Sequence, residues 1–235
     1  MRIGARSDVG KVRRVNQDVG FFDEVLGLFI VADGMGGHNG GEIASQTAVD
    51  ALVGYDWDLV HSLADLERPI ALANQAVWQA AQAKPQLRGM GTTVTLAKVV
   101  DQRVLIGHVG DSRAYLVSHR GEGKQLTNDH SVVGQLVRDG CLTEGDARRH
   151  PHRNVLTKAL GTQPNLTVDL STVEPGPGDV ILLCTDGLVD VVSTAEVFAI
   201  IHQSPDLQEA ADRLVDLANE RGGQDNITVV AFGLD

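Results

Sequence analysis

Residues 28 to 45 read LFIVADGMGGHNGGEIAS, and the interpretation of the whole chain depends on them. The first five, Leu28–Ala32, form a continuous apolar run of the kind found in a strand buried on both faces. Asp33 ends the run, and five of the next eight residues are glycine. Apolar residues from Ile43 to Leu52 then recur at helical spacing. The stretch predicts a carboxylate at the tip of a rigid strand, followed by a loop whose backbone can closely approach a bound group.

Three interpretations of this glycine loop compete. A Walker-type phosphate loop would need Lys and then Ser or Thr after the glycines, but His38 and Asn39 stand in the loop instead. A dinucleotide fingerprint would need a third glycine where Asn39 lies. Asp-Gly after a strand is also a common hairpin turn, so Asp33 and Gly34 alone favour a simple turn. A metal site becomes the better interpretation only through similar features elsewhere in the chain.

Composition restricts the class of protein. The 235 residues, 43% of them hydrophobic, suffice for one large domain or two small ones with a substantial core. Twenty Lys and Arg against 31 Asp and Glu give a net charge of −11, which argues against a nucleic-acid or anionic-membrane partner. The two cysteines form no CxxC pair, no signal-peptide pattern begins the chain, and no apolar run approaches the ~20 residues of a membrane span. We therefore expect a soluble cytoplasmic protein.

Strands and helices alternate along the rest of the chain. The spacing of 91–100, 104–109 and 114–117 predicts a three-stranded antiparallel meander with Asp111 in a turn. Further strands are expected at 2–7, 166–173, 180–184 and 227–232, and helical segments at 56–84, 131–138, 143–149, 194–202 and 207–220. No repeat or low-complexity linker divides the sequence. We expect one domain over residues 1–235, with a helical flap at about 127–164.

Several charged motifs have ordinary explanations. Residues 56–60, DWDLV, resemble the nucleophile motif of haloacid-dehalogenase-type phosphatases, but they follow a helical stretch rather than an apolar strand, so we interpret them as an accidental acidic loop. Arg13 and Arg14 form a cationic pair of the kind that usually lies on a solvated face. The cations in 148–153 suit either a solvated helix end or a substrate-facing flap.

Five aspartates flank the predicted strands: Asp18, Asp33, Asp111, Asp186 and Asp225. If the strands belong to two packed sheets, these carboxylates can converge, and like charges in a site of low dielectric then raise one another's pKa. Divalent cations relieve this repulsion. Oxygen ligands without a His or Cys set indicate Mg²⁺ or Mn²⁺ rather than zinc. Two such ions sharing an oxygen suit the generation of hydroxide for attack on phosphorus.

Five motifs in this order resemble the metal-dependent serine/threonine protein phosphatases of the PPM, or type 2C, family, and most closely the compact bacterial members. They are VADGMGGH (31–38), GTT (91–93), GDSR (110–113), TDGL (185–188) and GGQDNITVV (222–230). The similarity extends over essentially the whole chain. It implies an α+β fold in which two antiparallel sheets form a sandwich, helices cover both outer faces, and the metals lie in a cleft at one end.

The resemblance also assigns roles to individual positions. It implies a bridging carboxylate at Asp33, a carbonyl ligand at Gly34, and two or three Mn²⁺ or Mg²⁺ ions. The other ligands implied are Asp186 and Asp225 at the first metal, Asp18 at the second and Asp111 at a third. Gln17 stands where some relatives carry Glu, which implies a weaker second site, although several bacterial members share the glutamine. Arg13, not Arg14, corresponds to the phosphate-clamping arginine, and His38 to the proton donor for the leaving oxygen.

The implied reaction is direct hydrolysis of phosphoserine and phosphothreonine by a metal-bridging hydroxide, without a phosphoenzyme. Expected partners are phosphorylated proteins, including a serine/threonine kinase and its substrates, and the protein is expected to be a monomer. The flap is implied to influence substrate choice, with His150, His152 and Arg153 as contact residues. Two alternatives remain open: a metal-dependent phosphatase of small phosphate esters, and a non-catalytic phosphoprotein-binding module.

Overall fold

The computed structural model describes residues 1–37 and 40–234, whose strands form two antiparallel sheets. In chain order the strands are β1 (Arg2–Asp8), β2 (Asp18–Asp23), β3 (Leu28–Met35), β4 (Gly91–Thr92), β5 (Val94–Val100), β6 (Arg103–Val109), β7 (Arg113–Val117), β8 (Gly123–Gln125), β9 (Asp169–Val173), β10 (Val180–Cys184) and β11 (Ile227–Gly233). The first sheet has the order β1-β11-β10-β7-β8, and the second has the order β2-β3-β5-β6-β9, with β4 pairing with the end of β3.

Helices cover the outer face of each sheet. In chain order the described helices are α1 (Gly40–Val53), α2 (Glu67–Ala83), α3 (Val132–Arg138), α4 (Glu144–Ala147), α5 (Asp186–Val189), α6 (Thr194–Gln203) and α7 (Leu207–Glu220), of which α3 and α4 belong to the insertion between β8 and β9. The apolar faces of α1 and α2 pack on the second sheet, and those of α5, α6 and α7 pack on the first. The expected four-layer αββα sandwich is therefore confirmed. Among the described residues, no helix combines the length and apolarity that crossing a membrane requires.

The packing of β3 against the core between the sheets determines where the Asp33 carboxylate lies. Leu28, Ile30 and Ala32 face the outer helices, whereas Phe29 and Val31 face the other sheet. Phe29 stacks on Phe232 of β11 with a ring-centroid distance of 3.7 Å. Because side chains alternate with a period of two, Asp33 continues the inward row of Phe29 and Val31. Its carboxylate therefore lies where the apolar space between the sheets ends.

The predicted three-stranded meander is wrong. β5 and β6 do form a hairpin, but β9 lies along the free edge of β6, and β7 pairs with β10 in the opposite sheet. Gly110 has φ +116°, and a Cβ at this position would lie 2.5 Å from Cβ of Thr93. The glycine thus permits a tight crossover between sheets. Asp111 lies in this crossover rather than in a hairpin turn.

The helical insertion differs in detail from its prediction. Its two helices, α3 and α4, begin at the side-chain caps Ser131 and Thr143. The segment returns to the body through bridges between Ser131 and Leu156 and between Thr92 and Leu160. The other long helical prediction, 56–84, contains short 3₁₀ turns and becomes a regular α-helix only over Glu67–Ala83.

Candidate active site

Asp18 and Asp33 are directly opposite residues of the antiparallel pair β2–β3. The Thr185 hydroxyl donates to Asp18 Oδ2 at 2.8 Å, whereas Asp18 Oδ1 is buried without a hydrogen-bond partner. Burial is the main cause that raises the pKa of Asp18 to about 7, and the bond from Thr185 opposes it. The site therefore contains a carboxyl oxygen that lacks a donor.

The backbone of Asp33 is fixed by the neighbouring strand end. Its amide donates to Thr93 Oγ1 at 2.9 Å, and its carbonyl oxygen accepts from Thr92 Oγ1 at 2.9 Å. Burial raises the pKa of the Asp33 carboxyl well above its usual range, and the charges of neighbouring aspartates, Asp18 and Asp186 foremost, raise it further. The threonines of the GTT motif thus hold the strand end that presents this carboxylate.

Asp186 and Asp111 bring carboxyl groups from the other sheet. Asp186 is the first residue of α5, separated from the end of β10 only by Thr185, and its Oδ1 is buried without a hydrogen-bond partner. Burial is the main cause that raises the pKa of Asp186, and the negative charges of Asp111 and Asp190 raise it further. The pKa of Asp111 is raised to about 7, mainly by burial and then by the negative charges of Asp129 and Asp190. These mutual effects place the carboxylates of both sheets in one electrostatic cluster.

Arg13 supplies a cation at the edge of this cluster. Its Nη2 donates to Asp225 Oδ2 at 2.8 Å. That hydrogen bond is the main cause that raises the pKa of Arg13, and the charges of Asp33 and Asp186 contribute. Arg14 forms no ion pair with any residue that the structure describes. Of the two adjacent arginines, Arg13 is therefore the one beside the carboxylates.

Close backbone contacts shape the glycine loop. The Gly34 amide donates to the Gln17 carbonyl oxygen at 3.0 Å, and a Cβ on Gly34 would overlap the Gly41 carbonyl oxygen. A Cβ on Gly41 would lie 2.8 Å from Cδ of Gln17, so that side chain reaches the start of α1. The glycines allow β3 and α1 to approach more closely than any other residue would permit. His38, the predicted proton donor, lies outside the described residues.

Of the three flap residues predicted to contact substrate, only Arg153 lines the cavity beside the carboxylates. Arg153 Nε is 4.0 Å from Asp190 Oδ2, and Arg153 lines a cavity of about 270 Å³ between the flap helices and α5. Asp111 and Asp186 line the same cavity, which therefore opens beside the carboxylate cluster. His150 and His152 pack against each other, with ring centroids 5.6 Å apart, and do not line this cavity.

Two residues that the sequence analysis did not single out organise the cluster. Asn226 Oδ1 accepts from the Gln17 amide at 2.8 Å, and its Nδ2 donates to the carbonyl oxygens of Val9 and Val15 at 2.9 and 3.1 Å. It thereby ties the segment carrying Arg13 to the start of β11. A polar residue directly before an apolar strand was the sequence signal that could have identified Asn226.

Asp190 lies four residues after Asp186, and this helical spacing was the signal that could have identified it.

The donor set fits divalent cations. Two buried carboxyl oxygens lack donors, and the carboxylates raise one another's pKa, so added positive charge would relieve both costs. Within residues 1–37 and 40–234, no group of three Asp, Glu, His or Cys side chains is arranged to hold one ion by itself. Carboxylate oxygens and water are the ligands that Mg²⁺ and Mn²⁺ prefer.

Comparison with known proteins relates this chain to protein phosphatases. A sequence profile of the protein phosphatase 2C family matches residues 11–226. The chain is 39% identical to the serine/threonine phosphatase stp of Listeria innocua over 235 residues, which cover 96% of this chain and 92% of the relative.

Solved structures agree with this relationship. The crystal structure of the Mycobacterium tuberculosis serine/threonine phosphatase PstP/Ppp superposes with a TM-score of 0.90 at 39% identity, covering 98% of this chain and 97% of that one. A crystal structure of the PstP catalytic domain in complex with two manganese ions has a TM-score of 0.90 at 38% identity, covering 100% of this chain and 98% of that one. With a matching profile, fold and sequence over nearly the whole length, the chain belongs to the protein phosphatase 2C family of serine/threonine phosphatases.

Proposed function

We propose that this chain removes phosphate from phosphoserine and phosphothreonine in proteins by direct attack of water on phosphorus, and that the reaction requires Mn²⁺ or Mg²⁺. The observation that carries the proposal is the convergence of Asp33 from one sheet and Asp186 from the other, with the Arg13 guanidinium beside them. The relatives named serine/threonine phosphatases, and the PstP domain that binds two manganese ions, support it.

Two ions would be held by the carboxylates at the end of the sandwich. Asp33 is the residue best placed to be shared between them, because its carboxyl interacts with both Asp18 and Asp186. We assign Asp186 and Asp225 to the first ion, Asp18 to the second together with the Gly34 carbonyl, and Asp111 to a third. Bound divalent cations supply two effects, a lowered pKa for water and neutralisation of phosphoryl charge.

Arg13 is the proposed phosphate clamp. A guanidinium carries five N–H donors, so the single Nη2 bond to Asp225 leaves donors for the non-bridging oxygens of a phosphoryl group. Asp225 restricts the orientation of Arg13 before substrate arrives. This pre-organisation reduces the entropy that phosphate binding would otherwise cost.

His38 is the proposed general acid. It lies five residues after Asp33 in the sequence, at the position that the family resemblance assigns to the proton donor. A serine alkoxide leaves poorly without a proton, whereas p-nitrophenolate leaves readily. General acid catalysis is typically worth ~10²–10⁴-fold, so His38→Ala should slow phosphoserine peptides by roughly that factor and p-nitrophenyl phosphate much less. Metal affinity, measured by calorimetry, should be retained. Equal losses on both substrates would favour a water as the proton donor.

The physiological substrates are proposed to be phosphoproteins, including a serine/threonine kinase and its targets, acted on by a monomer. The packed αββα layers support one domain over residues 1–235, with a flap at about 127–164 that contacts the protein part of the substrate. Comparing phosphopeptides with nucleotides and sugar phosphates at equal enzyme concentration tests this assignment. Phosphopeptides should be turned over faster, and the reverse order would indicate a phosphatase of small phosphate esters.

A further inference from the structure

A second buried polar centre lies at the root of the flap, and its central residue is His130. The side chain is buried, and its ring packs on that of His108 with centroids 4.9 Å apart. His130 directly precedes Ser131, the cap of α3, so it lies where the chain enters the flap. None of the roles assigned above uses this histidine.

His130 and Gly110 exchange two hydrogen bonds. The His130 amide donates to the Gly110 carbonyl oxygen at 2.7 Å, and the Gly110 amide donates to His130 Nδ1 at 3.1 Å. Gly110 is the crossover residue with φ +116° and directly precedes Asp111. The imidazole therefore satisfies a buried amide in the turn that carries this carboxylate.

The opposite ring nitrogen faces a carboxylate. His130 Nε2 lies 3.1 Å from Asp169 Oδ2, and Lys158 Nζ lies 3.2 Å from the other oxygen of Asp169. A ring nitrogen that accepts from an amide carries no proton, so the bond from Gly110 assigns the hydrogen to Nε2. The neutral ring then donates to Asp169, whose charge is balanced by the flap residue Lys158.

The backbone of His130 also holds the returning end of the flap. Its carbonyl oxygen accepts from the Thr157 amide at 2.7 Å, next to the bridge between Ser131 and Leu156. One residue thus connects the Asp111 crossover, both ends of the flap and, through Asp169, strand β9.

We propose that His130, as the neutral Nε2–H tautomer, is a positioning residue that sets the Asp111 crossover relative to the flap. It acts through Gly110 and does not touch substrate. Its effect on turnover rests on the proposed function, whereas its hydrogen bonds can be measured without catalysis. Residues that orient a ligand-bearing segment typically contribute about 10–100-fold to activity.

The test compares His130→Asn with His130→Gln. The shorter amide of Asn places an oxygen near the Nδ1 position and can still accept from Gly110, whereas Gln places its amide near Nε2 and faces Asp169. The Gly110 amide should remain protected from hydrogen exchange in His130→Asn and exchange at least about tenfold faster in His130→Gln. Turnover of p-nitrophenyl phosphate should fall about 10–100-fold in His130→Gln, with little change in KM, and less in His130→Asn. His119→Gln, an exposed histidine, is the control and should change neither measurement.

Ring ¹⁵N spectra at neutral pH provide the second readout. The resonances lost in both His130 variants should show the Nε2–H pattern in the unsubstituted protein. An Nδ1–H or doubly protonated ring would overturn the proposal, as would equal Gly110 exchange in the two variants. If the unsubstituted protein hydrolyses no phosphate ester, the proposed function fails, and the exchange and tautomer results still decide the role of His130.

Discussion

Asp18 and Asp33 oppose each other across two adjacent antiparallel strands, at the end of the core between the sheets. Directly opposed like charges destabilise a strand pair, and burial increases the cost. The four-layer fold tolerates this pair because its central core, with Phe29 stacked on Phe232, provides stability elsewhere. The site proposed to bind cations and an anionic substrate therefore lowers the stability of the metal-free fold.

Removing one of these opposed charges should stabilise the metal-free protein. A carboxyl whose folded pKa lies above its unfolded pKa makes the native state lose stability as pH rises between the two values. Because the folded pKa of Asp18 is about 7, metal-free protein should lose stability between roughly pH 4 and 7. In chelator at pH 7, Asp18→Asn should raise Tm by about 2–4 °C. The control Asp50→Asn keeps an exposed helical hydrogen bond and should leave Tm unchanged. A lower Tm for Asp18→Asn at pH 7 would contradict the electrostatic argument.

The adjacent arginines form a matched pair for testing phosphate binding. Arg13→Ala removes the guanidinium beside Asp225 and should lower kcat/KM by about 10–100-fold, the usual range for a hydrogen bond to a charged group. Arg14→Ala removes the same charge one residue away and should have little effect. Steady-state kinetics with a phosphopeptide measures both. Comparable losses in the two variants would indicate general electrostatic attraction rather than a clamp.

Flap substitutions should affect substrates selectively. Replacing His150, His152 and Arg153 with Ala should reduce turnover of phosphopeptides more than that of p-nitrophenyl phosphate, because only a peptide extends from the metal centre to the flap. Arg149→Ala is the control, since this exposed flap cation pairs with Asp146 within the flap, whereas Arg153 lies near Asp190 beside the site. Equal losses on both substrates would mean that the three residues support the fold or the metals.

The sequence allowed the elements to be predicted better than their pairing. The run Leu28–Ala32 is wholly buried as expected, and α7 spans the predicted 207–220. The predicted meander was wrong because a short connection through a glycine such as Gly110 has the same length whether it closes a hairpin or crosses between sheets. Sheet membership depends on long-range pairing, here β7 with β10 and β6 with β9, which local periodicity does not encode.

The sequence allowed the charged residues of the site to be predicted, but not the residues that hold them in place. The strand-end aspartates were visible because each follows or precedes an apolar run, and their convergence followed from the family resemblance. Asn226 and His130 were missed because their importance lies in hydrogen bonds to backbone groups distant in sequence, such as those of Val15 and Gly110. A single polar residue beside a strand carries no local pattern that distinguishes such a role.

Phosphate release from a phosphothreonine peptide, measured with and without divalent cation, tests the central claim most directly. Chelator should abolish release, and Mn²⁺ or Mg²⁺ should restore it. Asp33→Asn and Asp186→Asn should each remain severely impaired in saturating metal, while the conservative surface variant Asp50→Asn remains active. Each site variant removes a carboxylate that would hold the first ion. Full activity of the chelated protein, or of Asp186→Asn, would contradict the assignment of this carboxylate cluster as the metal centre of a phosphatase.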